Sequence, residues 1–576
     1  MKNKKAQALL QLALVAGILV ILNVLANYFN GYVDLTEEKR YTLTEPTQDL
    51  LKSLDEVVYV QVLLEGEFPA GFKRLQQSTR ELLEDFRSVS SLIEYEFDDP
   101  LGGTEEQNQA RQSELQKDGL IPTNLRVKDT DGESAKRIYP YAIFTYKGRQ
   151  YPVNLLENDR VGVSPEVVLN NSVALLEYKF ANAIQKLQLS NKPNVVFLQG
   201  HGELAPPEVY DLERNLRQYY DTGHLPLDSL VTLPVDRVSV LIVAKPRYNF
   251  SDADKFKIDQ YVMNGGKVMW LIDRLNVSID SVNINGTYIP NNYQLNLEDM
   301  LFKYGIRVDP NMVLDLESTT IPLNVGQIGT QTQFDQFPFF YYPIAAPTST
   351  HPIVKSLDRV FFKFPSSIDT SVRTKTNVEK TVLLASSQRS RIQFAPTTLD
   401  FDFLRQPPNP DNYNQPNQAM AVLYEGIFLS YFENRVAEGF MQTLQQLNIP
   451  FRAESVPTNM IVVSDGDIAR NLVRPNPDAP NGFEAAPLGL NPYDRYTYAN
   501  KDFLLNCIEY LLDENGVIAA RGKEVKLRLL DTVKAESEKT KWQILNIVLP
   551  LVFLAMFGVI FNWLRRRKYG EVKDNV

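Results

Sequence analysis

Four cationic residues, Arg565, Arg566, Arg567 and Lys568, close the apolar run Ile544 to Leu564, and a second apolar run, Ala6 to Phe29, follows Lys2, Lys4 and Lys5. A helix rising ~1.5 Å per residue needs about 20 apolar residues to cross ~30 Å of hydrocarbon, and each run is long enough. Lys and Arg beside a span favour the cytoplasmic side, so the two clusters predict cytoplasmic termini and an exterior stretch from Asn30 to Gln543. Val24-Leu25-Ala26 loosely matches the cleavage site of a secretory leader. The apolar region, however, exceeds the usual ~7–15 residues, and Asn27-Tyr28-Phe29 reads as an interfacial end, so the run is taken as a retained anchor. Trp542 and Trp563 bracket the second run in the manner of interfacial anchors. Two spans are too few to enclose a transport path, and a multi-span partner is expected. Gln11, Asn23, Asn546 and Asn562 could form interhelical hydrogen bonds with it, or could simply be polar residues tolerated near span ends.

The compartment and the charge narrow the function. The chain has 576 residues, which leaves the exterior portion room for about three domains. A net charge of −10 lacks the clustered basic face of a phosphate-backbone binder, so nucleic acid is excluded as a partner. Cys507 is the chain's single cysteine, which rules out an intrachain disulfide. It sits in the apolar helical pattern Phe503 to Ile508, the setting of a buried, inert thiol.

Along the chain, the expected order is an anchor (1–29), a first α/β domain (30–190), a doubly wound α/β domain (191–296) and a mixed α/β region (297–520). A charged juxtamembrane stalk (521–543), the C-terminal transmembrane helix (544–564) and a cytoplasmic tail (565–576) follow. In the first domain strand patterns at Val57 to Leu64, Leu92 to Phe97, Ile138 to Tyr146 and Gln150 to Leu155 alternate with helical patterns at Phe72 to Val89 and Thr104 to Asp118. Thr104 and Gln107 have capping-box spacing, and Ser164-Pro165 opens a further long helix. This alternation resembles a thioredoxin-like domain with one extra short strand. No Cys-x-x-Cys is present, so dithiol chemistry is excluded and only the scaffold could remain.

In the second domain, Asn194 to Leu198, Val238 to Ala244 and Lys267 to Ile272 are continuously apolar strands separated by helices at Pro207 to Tyr220 and, capped by Ser251 and Asp254, up to Gly265-Gly266. Such strands imply a parallel sheet covered on both faces, in which ligands bind beyond the carboxyl ends of the strands. That edge is where Gly200-His201-Gly202-Glu203 and Asp273 fall, and these five are the candidate ligand-binding residues. Glycines permit a sharp turn and the following helix start offers amide donors, while His201 and Glu203 could act as acid and base or as two metal ligands. The alternative is that both simply cap the helix and fix the loop. His201, His224 and His351 show no metal-ligand spacing, the turn carries His201 where an elbow nucleophile would stand, and no P-loop pattern occurs. No catalytic residue, metal or cofactor is therefore assigned. Ser464-Asp465-Gly466-Asp467 lacks the further oxygen ligands of an EF-hand and reads as a turn. The Pro/Asn-rich segment Gln406 to Gln418 is expected to be an exposed loop, and Lys501 to Leu512 a helix.

Several stretches carry a family resemblance: Asp34-Leu35-Thr36-Glu37-Glu38-Lys39-Arg40-Tyr41-Thr42-Leu43-Thr44, Phe197-Leu198-Gln199-Gly200-His201-Gly202-Glu203, Ile242-Val243-Ala244-Lys245-Pro246, Asp259-Gln260-Tyr261-Val262 with Gly265-Gly266, Ile461 to Asp467 and Asn500 to Asn506. In this order, between two anchors, they resemble the GldG family, the gliding-motility-associated ABC transporter components. The resemblance implies a non-ATPase auxiliary subunit at the inner membrane, its bulk in the periplasm, with an ABC permease, its ATPase and envelope proteins of the gliding or secretion machinery as partners. The second domain also looks like class I glutamine amidotransferase-like folds but departs from them at the nucleophile. A hydrolase or metal-dependent enzyme centred on His201, Glu203 and Asp273, and a purely structural envelope scaffold, are the competing expectations.

Overall fold

The computed structural model describes residues 13–18, 21, 42–66, 68–129, 132–157, 164–189, 191–347, 349–405, 407–435, 450–522 and 532–569. Most of the predicted first anchor, Ala6 to Phe29, and the motif Asp34 to Tyr41 lie outside them; residues 13–18 and 21 are helical. The chain divides into two compact units, Met1–Glu524 and Val525–Val576.

The first unit begins with α1 (Glu45–Lys52), β1 (Val58–Val62), α2 (Ala70–Val89), β2 (Ile93–Phe97) and α3 (Glu105–Lys117). A hairpin of β3 (Thr123–Asp129) and β4 (Gly132–Ile138), then β5 (Tyr141–Tyr146), β6 (Arg149–Asn154), α4 (Pro165–Ala174) and α5 (Leu176–Gln188) follow. The sheet order is β2-β1-β5-β6, with β1 parallel to β2 and the other pairs antiparallel. Strand β1 buries alternate residues, while α2 buries Phe72, Leu75, Thr79, Leu83 and Phe86, the three-and-four spacing of an amphipathic helix. Thr104 forms the predicted capping box with Gln107. The helix predicted from Pro165 is broken at Leu175, whose ψ of −4° turns the chain. The break serves two packing surfaces, because Leu169 of α4 closes on Gly71 of α2, while α5 runs against β5 and β6. Phe180 of α5 meets Phe144 at 4.9 Å and Phe86 at 6.2 Å, and Val517, Ile518 and Ala520 return from far along the chain to complete this core.

A larger sheet starts with β7 (Asn194–Gln199), followed by α6 (Tyr210–Leu216), β8 (Asp221–Pro226), β9 (Val240–Ala244), α7 (Asp252–Met263) and β10 (Lys267–Leu271). The next pieces are β11 (Asn311–Asp315), β12 (Ser318–Ile328), β13 (Gln331–Ala345), β14 (Val378–Ala385), β15 (Ser390–Phe394), β16 (Ala419–Gly426), β17 (Thr458–Val463) and α8 (Asn500–Leu512). Seven strands line up as β14-β16-β17-β10-β9-β7-β8, parallel from β17 to β8 and antiparallel at β16. Strands β14, β16 and β17, all beyond residue 297, thus complete the sheet begun at Asn194. Alternate residues of each strand face two separate cores: Phe197, Ile242 and Met269 pack with Phe503, Leu504 and Cys507 of α8, whereas Val196, Leu241 and Trp270 pack with Tyr261 of α7, Tyr304 and Phe428. This two-sided burial is why the strands read as unbroken apolar runs. The predicted helix Pro207 to Tyr220 is shorter, a 3-10 turn at Pro206–Val209 followed by α6, and edge strand β8 follows it. Its sequence, Asp-Thr-Gly-His-Leu-Pro, has no apolar alternation, because only one side of it is paired. An aromatic cluster of Phe339, Tyr342 and Phe364 forms a further core beside β11 to β13, and most of 407–418 is exposed around buried Tyr413.

In the second unit, α9 (Thr532–Tyr569) contains Glu536–Arg567, long and apolar enough to cross a membrane, with none of its apolar window buried against protein. Pro550 lies inside it, and Arg567 lies 5.5 Å from the Trp563 ring centroid.

The contacts of Phe180 predict that Phe180→Ala will destabilise the first unit by about 3–5 kcal/mol, the usual cost of emptying a buried aromatic site. Urea unfolding of the full chain in detergent, followed by tyrosine fluorescence, checks this; a loss well under ~1 kcal/mol would contradict the packing described.

Candidate functional site

The order of the large sheet reverses at β7, since the chain passes from β7 outward to β8 and then back across to β9. In doubly wound sheets the crevice at such a reversal, beyond the carboxyl ends of the strands, is where ligands bind. Gly200, His201, Gly202 and Glu203 leave β7 at this point, and Lys245 leaves β9 beside them.

The turn is built by backbone geometry that side chains resist. Gly202 has φ +75°, and a Cβ there would lie 2.9 Å from the Tyr248 ring. The His201 carbonyl accepts from the N–H groups of Arg247 and Tyr248 at 2.7 and 2.9 Å, which locks the turn to the loop after β9. The His201 ring stacks on Phe250 with centroids 3.7 Å apart and planes 3° from parallel. Its Nδ1 faces Glu203 Oε1 at 3.4 Å and its Nε2 faces Asp254 Oδ2 at 3.4 Å, ion-pair separations rather than tight hydrogen bonds. Glu203 Oε2 accepts from the His201 N–H at 2.6 Å. Asp254, near the start of α7, accepts from Ser251 Oγ at 2.6 Å and Lys257 Nζ at 3.2 Å. Burial pulls the His201 pKa down, but Glu203 and then Asp254 outweigh it, so the imidazole titrates above its ordinary range. For Asp254, burial raises the pKa, while Ser251, Lys257 and His201 prevail and hold it low. His201 is therefore a buried imidazole flanked by two carboxylates, 3.4 Å from each, that favour its protonated form. Nε2 is within hydrogen-bond reach of Asp254, whereas Nδ1 makes no hydrogen bond.

Asp273 belongs to a second cluster. Lys245, at φ +55°, sends Nζ to Asp273 Oδ2 at 2.8 Å and to Asp467 Oδ2 at 2.5 Å, and the Gly466 N–H donates to Asp273 Oδ1. Asp465 accepts from the Lys363 N–H at 2.6 Å and the Asp467 N–H at 2.8 Å. A Cβ on Gly466 would lie 2.5 Å from Lys245 Cβ, so only glycine lets the lysine pass. Burial opposes the Lys245 charge, but Asp273 and Asp467 hold it firmly protonated. Burial also acts on the carboxyls: it leaves Asp273 and Asp465 raised, whereas Lys245 keeps Asp467 low despite it. The ends of β9, β10 and β17 are tied together by one ammonium among carboxyl groups.

The five residues predicted from sequence are thus divided, Gly200 to Glu203 in one cluster and Asp273 in the other. Lys245, Asp254, Phe250, Asp465 and Asp467 complete them, and of these Lys245 had a readable signal, a lysine placed directly after a fully buried strand. The histidines go to separate places: His224 pairs with Glu213 at 3.3 Å, and the His351 ring lies 4.9 Å from that of Tyr510. Among the described residues no group of three or more His, Cys, Asp or Glu side chains could hold a metal ion. Cys507 is fully buried in α8, and burial pushes its thiol well up, away from nucleophilic use.

A family model described as an ABC-type uncharacterized transport system matches residues 192–507, more than half of the chain. The chain belongs to that family. A domain-of-unknown-function family matches residues 37–145. An uncharacterized protein of Borreliella burgdorferi is 22% identical over 404 residues, 68% of this chain and 71% of that protein. Among solved structures, the mmIFT52 N-terminal domain is 12% identical, with a TM-score of 0.30, over 55% of this chain and 96% of that domain. An exo-β-1,4-mannosidase from Opitutaceae bacterium strain TAV5 is 10% identical, with a TM-score of 0.18, over 75% of this chain and 51% of that enzyme. At such TM-scores neither likeness bears on fold or function. Membership in a transport-system family favours a non-enzymatic, transporter-associated role, and the apolar helix Glu536–Arg567 favours membrane association.

Two outcomes follow from the clusters. His201 contributes stability that is fully present below its unfolded pKa of about 6.5 and is lost as pH rises through its higher folded value, so wild type should exceed His201→Gln by about 1.5–3 kcal/mol near pH 6 and by less near pH 9. Denaturant midpoints across that range measure the gap, and a gap that widens with pH would contradict the upward shift of His201. Lys245→Met strands buried carboxylates and should cost about 3–5 kcal/mol in the same unfolding measurement.

Proposed function

We propose that this chain is the membrane-tethered, non-ATPase subunit of a gliding-associated ABC transport system. Its stretch from Asn30 to Gln543 stands on the exterior side of the cytoplasmic membrane and binds a partner or ligand, and both termini are cytoplasmic. The observation that carries the proposal is the conjunction of the transport-family match with an apolar helix whose far end bears Arg565, Arg566 and Arg567. Cations at that end favour the cytoplasmic face, which puts the chain preceding the helix outside. The GldG-like stretches add the gliding and secretion machinery as the setting. We read the small sheet, with order β2-β1-β5-β6, as a thioredoxin-like scaffold without its dithiol, and the large sheet as an amidotransferase-like module without its nucleophile. His201, Glu203 and Asp273, committed to internal ion pairs, support a binding or structural part for this module rather than hydrolysis.

Capture of the full chain from native membranes in mild detergent should bring with it a multi-span permease and an ATPase; recovery of the chain without either would overturn the proposal. Replacing Asn546 and Asn562 by Leu should weaken that capture, each interhelical hydrogen bond being worth ~0.6 kcal/mol on average. A reporter fused after Val576 should report a cytoplasmic location.

A further inference from the structure

At the opposite edge of the large sheet, where its parallel strands begin, a cleft of ≈ 340 Å³ opens between α5 and the end of α8. Lys267, the first residue of β10, is half-buried on its wall and pairs with no carboxylate among the described residues. Its neighbour in the cleft, Lys186, is fully committed: its Nζ lies 2.8 Å from Glu509 and 4.4 Å from the centroid of the Tyr219 ring. Asp513 and Glu514 line the same cleft. Asp513 accepts from neutral donors, Gln185 Nε2 at 3.1 Å and the Ile518 N–H at 2.6 Å, and Glu514 is exposed. Burial lowers the Lys267 pKa, and attraction from Glu514 and Asp513 only partly offsets it, as expected for charges that share a cleft without closing on each other. Opposite charges that stay apart leave room for a guest carrying both complements. Ligand pockets span about 300–1,000 Å³, and this cleft is at the small end.

We propose that the cleft binds a small zwitterion, an amino acid or dipeptide, with its carboxylate on Lys267 and its ammonium between Asp513 and Glu514. A charged group desolvated in a cleft binds well only when its partner is also charged, so the two ends of the guest are recognised separately. The inference deepens the binding role proposed above and rests on it for its biological sense.

The test uses the full chain in detergent micelles and the dipeptide L-alanyl-L-alanine, titrated calorimetrically beside its N-acetyl and C-terminal amide derivatives. The free dipeptide should bind, and each blocked form should bind at least about tenfold more weakly. Lys267→Met should lose at least about tenfold and Glu514→Gln should weaken binding, while Lys267→Arg, which keeps the charge, should stay within about tenfold of wild type. Thermal unfolding without ligand should be unchanged in all three variants. Absence of binding at about 10 mM dipeptide, equal binding of the acetylated form, or unchanged affinity in Lys267→Met would each overturn the proposal. Capture of permease and ATPase by Lys267→Met is read independently, so failure of the ligand proposal is distinguishable from failure of the transporter reading.

Discussion

The ladder between β10 and β17 sets Val268 beside Met460 and Leu271 beside Val463, joining the middle of the first unit to a segment near its end. Most of the rest depends on that pairing. It places β16 and β14 at one end of the sheet, lets α8 cover one face while α7 covers the other, and carries the Asp465-Gly466-Asp467 turn to the ends of β9 and β10. Closing so long a loop costs entropy that grows only slowly with its length, and the two-sided burial of Met269, Trp270, Ile461 and Val462 offsets it.

Local signals in the sequence were faithful. The alternation in Val58–Val62, the three-and-four stripe of α2, the box at Thr104 and Gln107 and the cap of α7 by Ser251 all recur in the structure, because each is decided within one turn or one strand. Continuous apolar strands likewise announced a sheet buried on both faces. Less was legible where the deciding partner lies far away. The break at Leu175 depends on Leu169 meeting Gly71 and α5 meeting β5, and edge strand β8 is held by β7 rather than by any pattern of its own.

The candidate site divides along the same line. Gly200, Gly202 and Glu203 shape the turn by local geometry, with Glu203 binding the amide of His201 two residues before it. Lys245 and Asp467 are 222 positions apart and meet only because β9, β10 and β17 end at one level. Asp254 reached His201 through a helix cap whose role in sequence was only to start α7. Asp273 was placed at the right edge of the sheet, yet its partner there is Lys245.

The energetics of these pairs bear on function. Buried ion pairs repay their desolvation only when every charge is met, and removing one partner costs far more than the pair contributes. At the crest, His201 is held by Glu203 and Asp254, and Lys245 by Asp273 and Asp467, so the ionisable groups that a hydrolase would direct at a substrate are consumed by one another. Membership in a transport-system family and an apolar helix long enough to cross a membrane favour a transporter-associated role for a chain whose crest is tied together in this way.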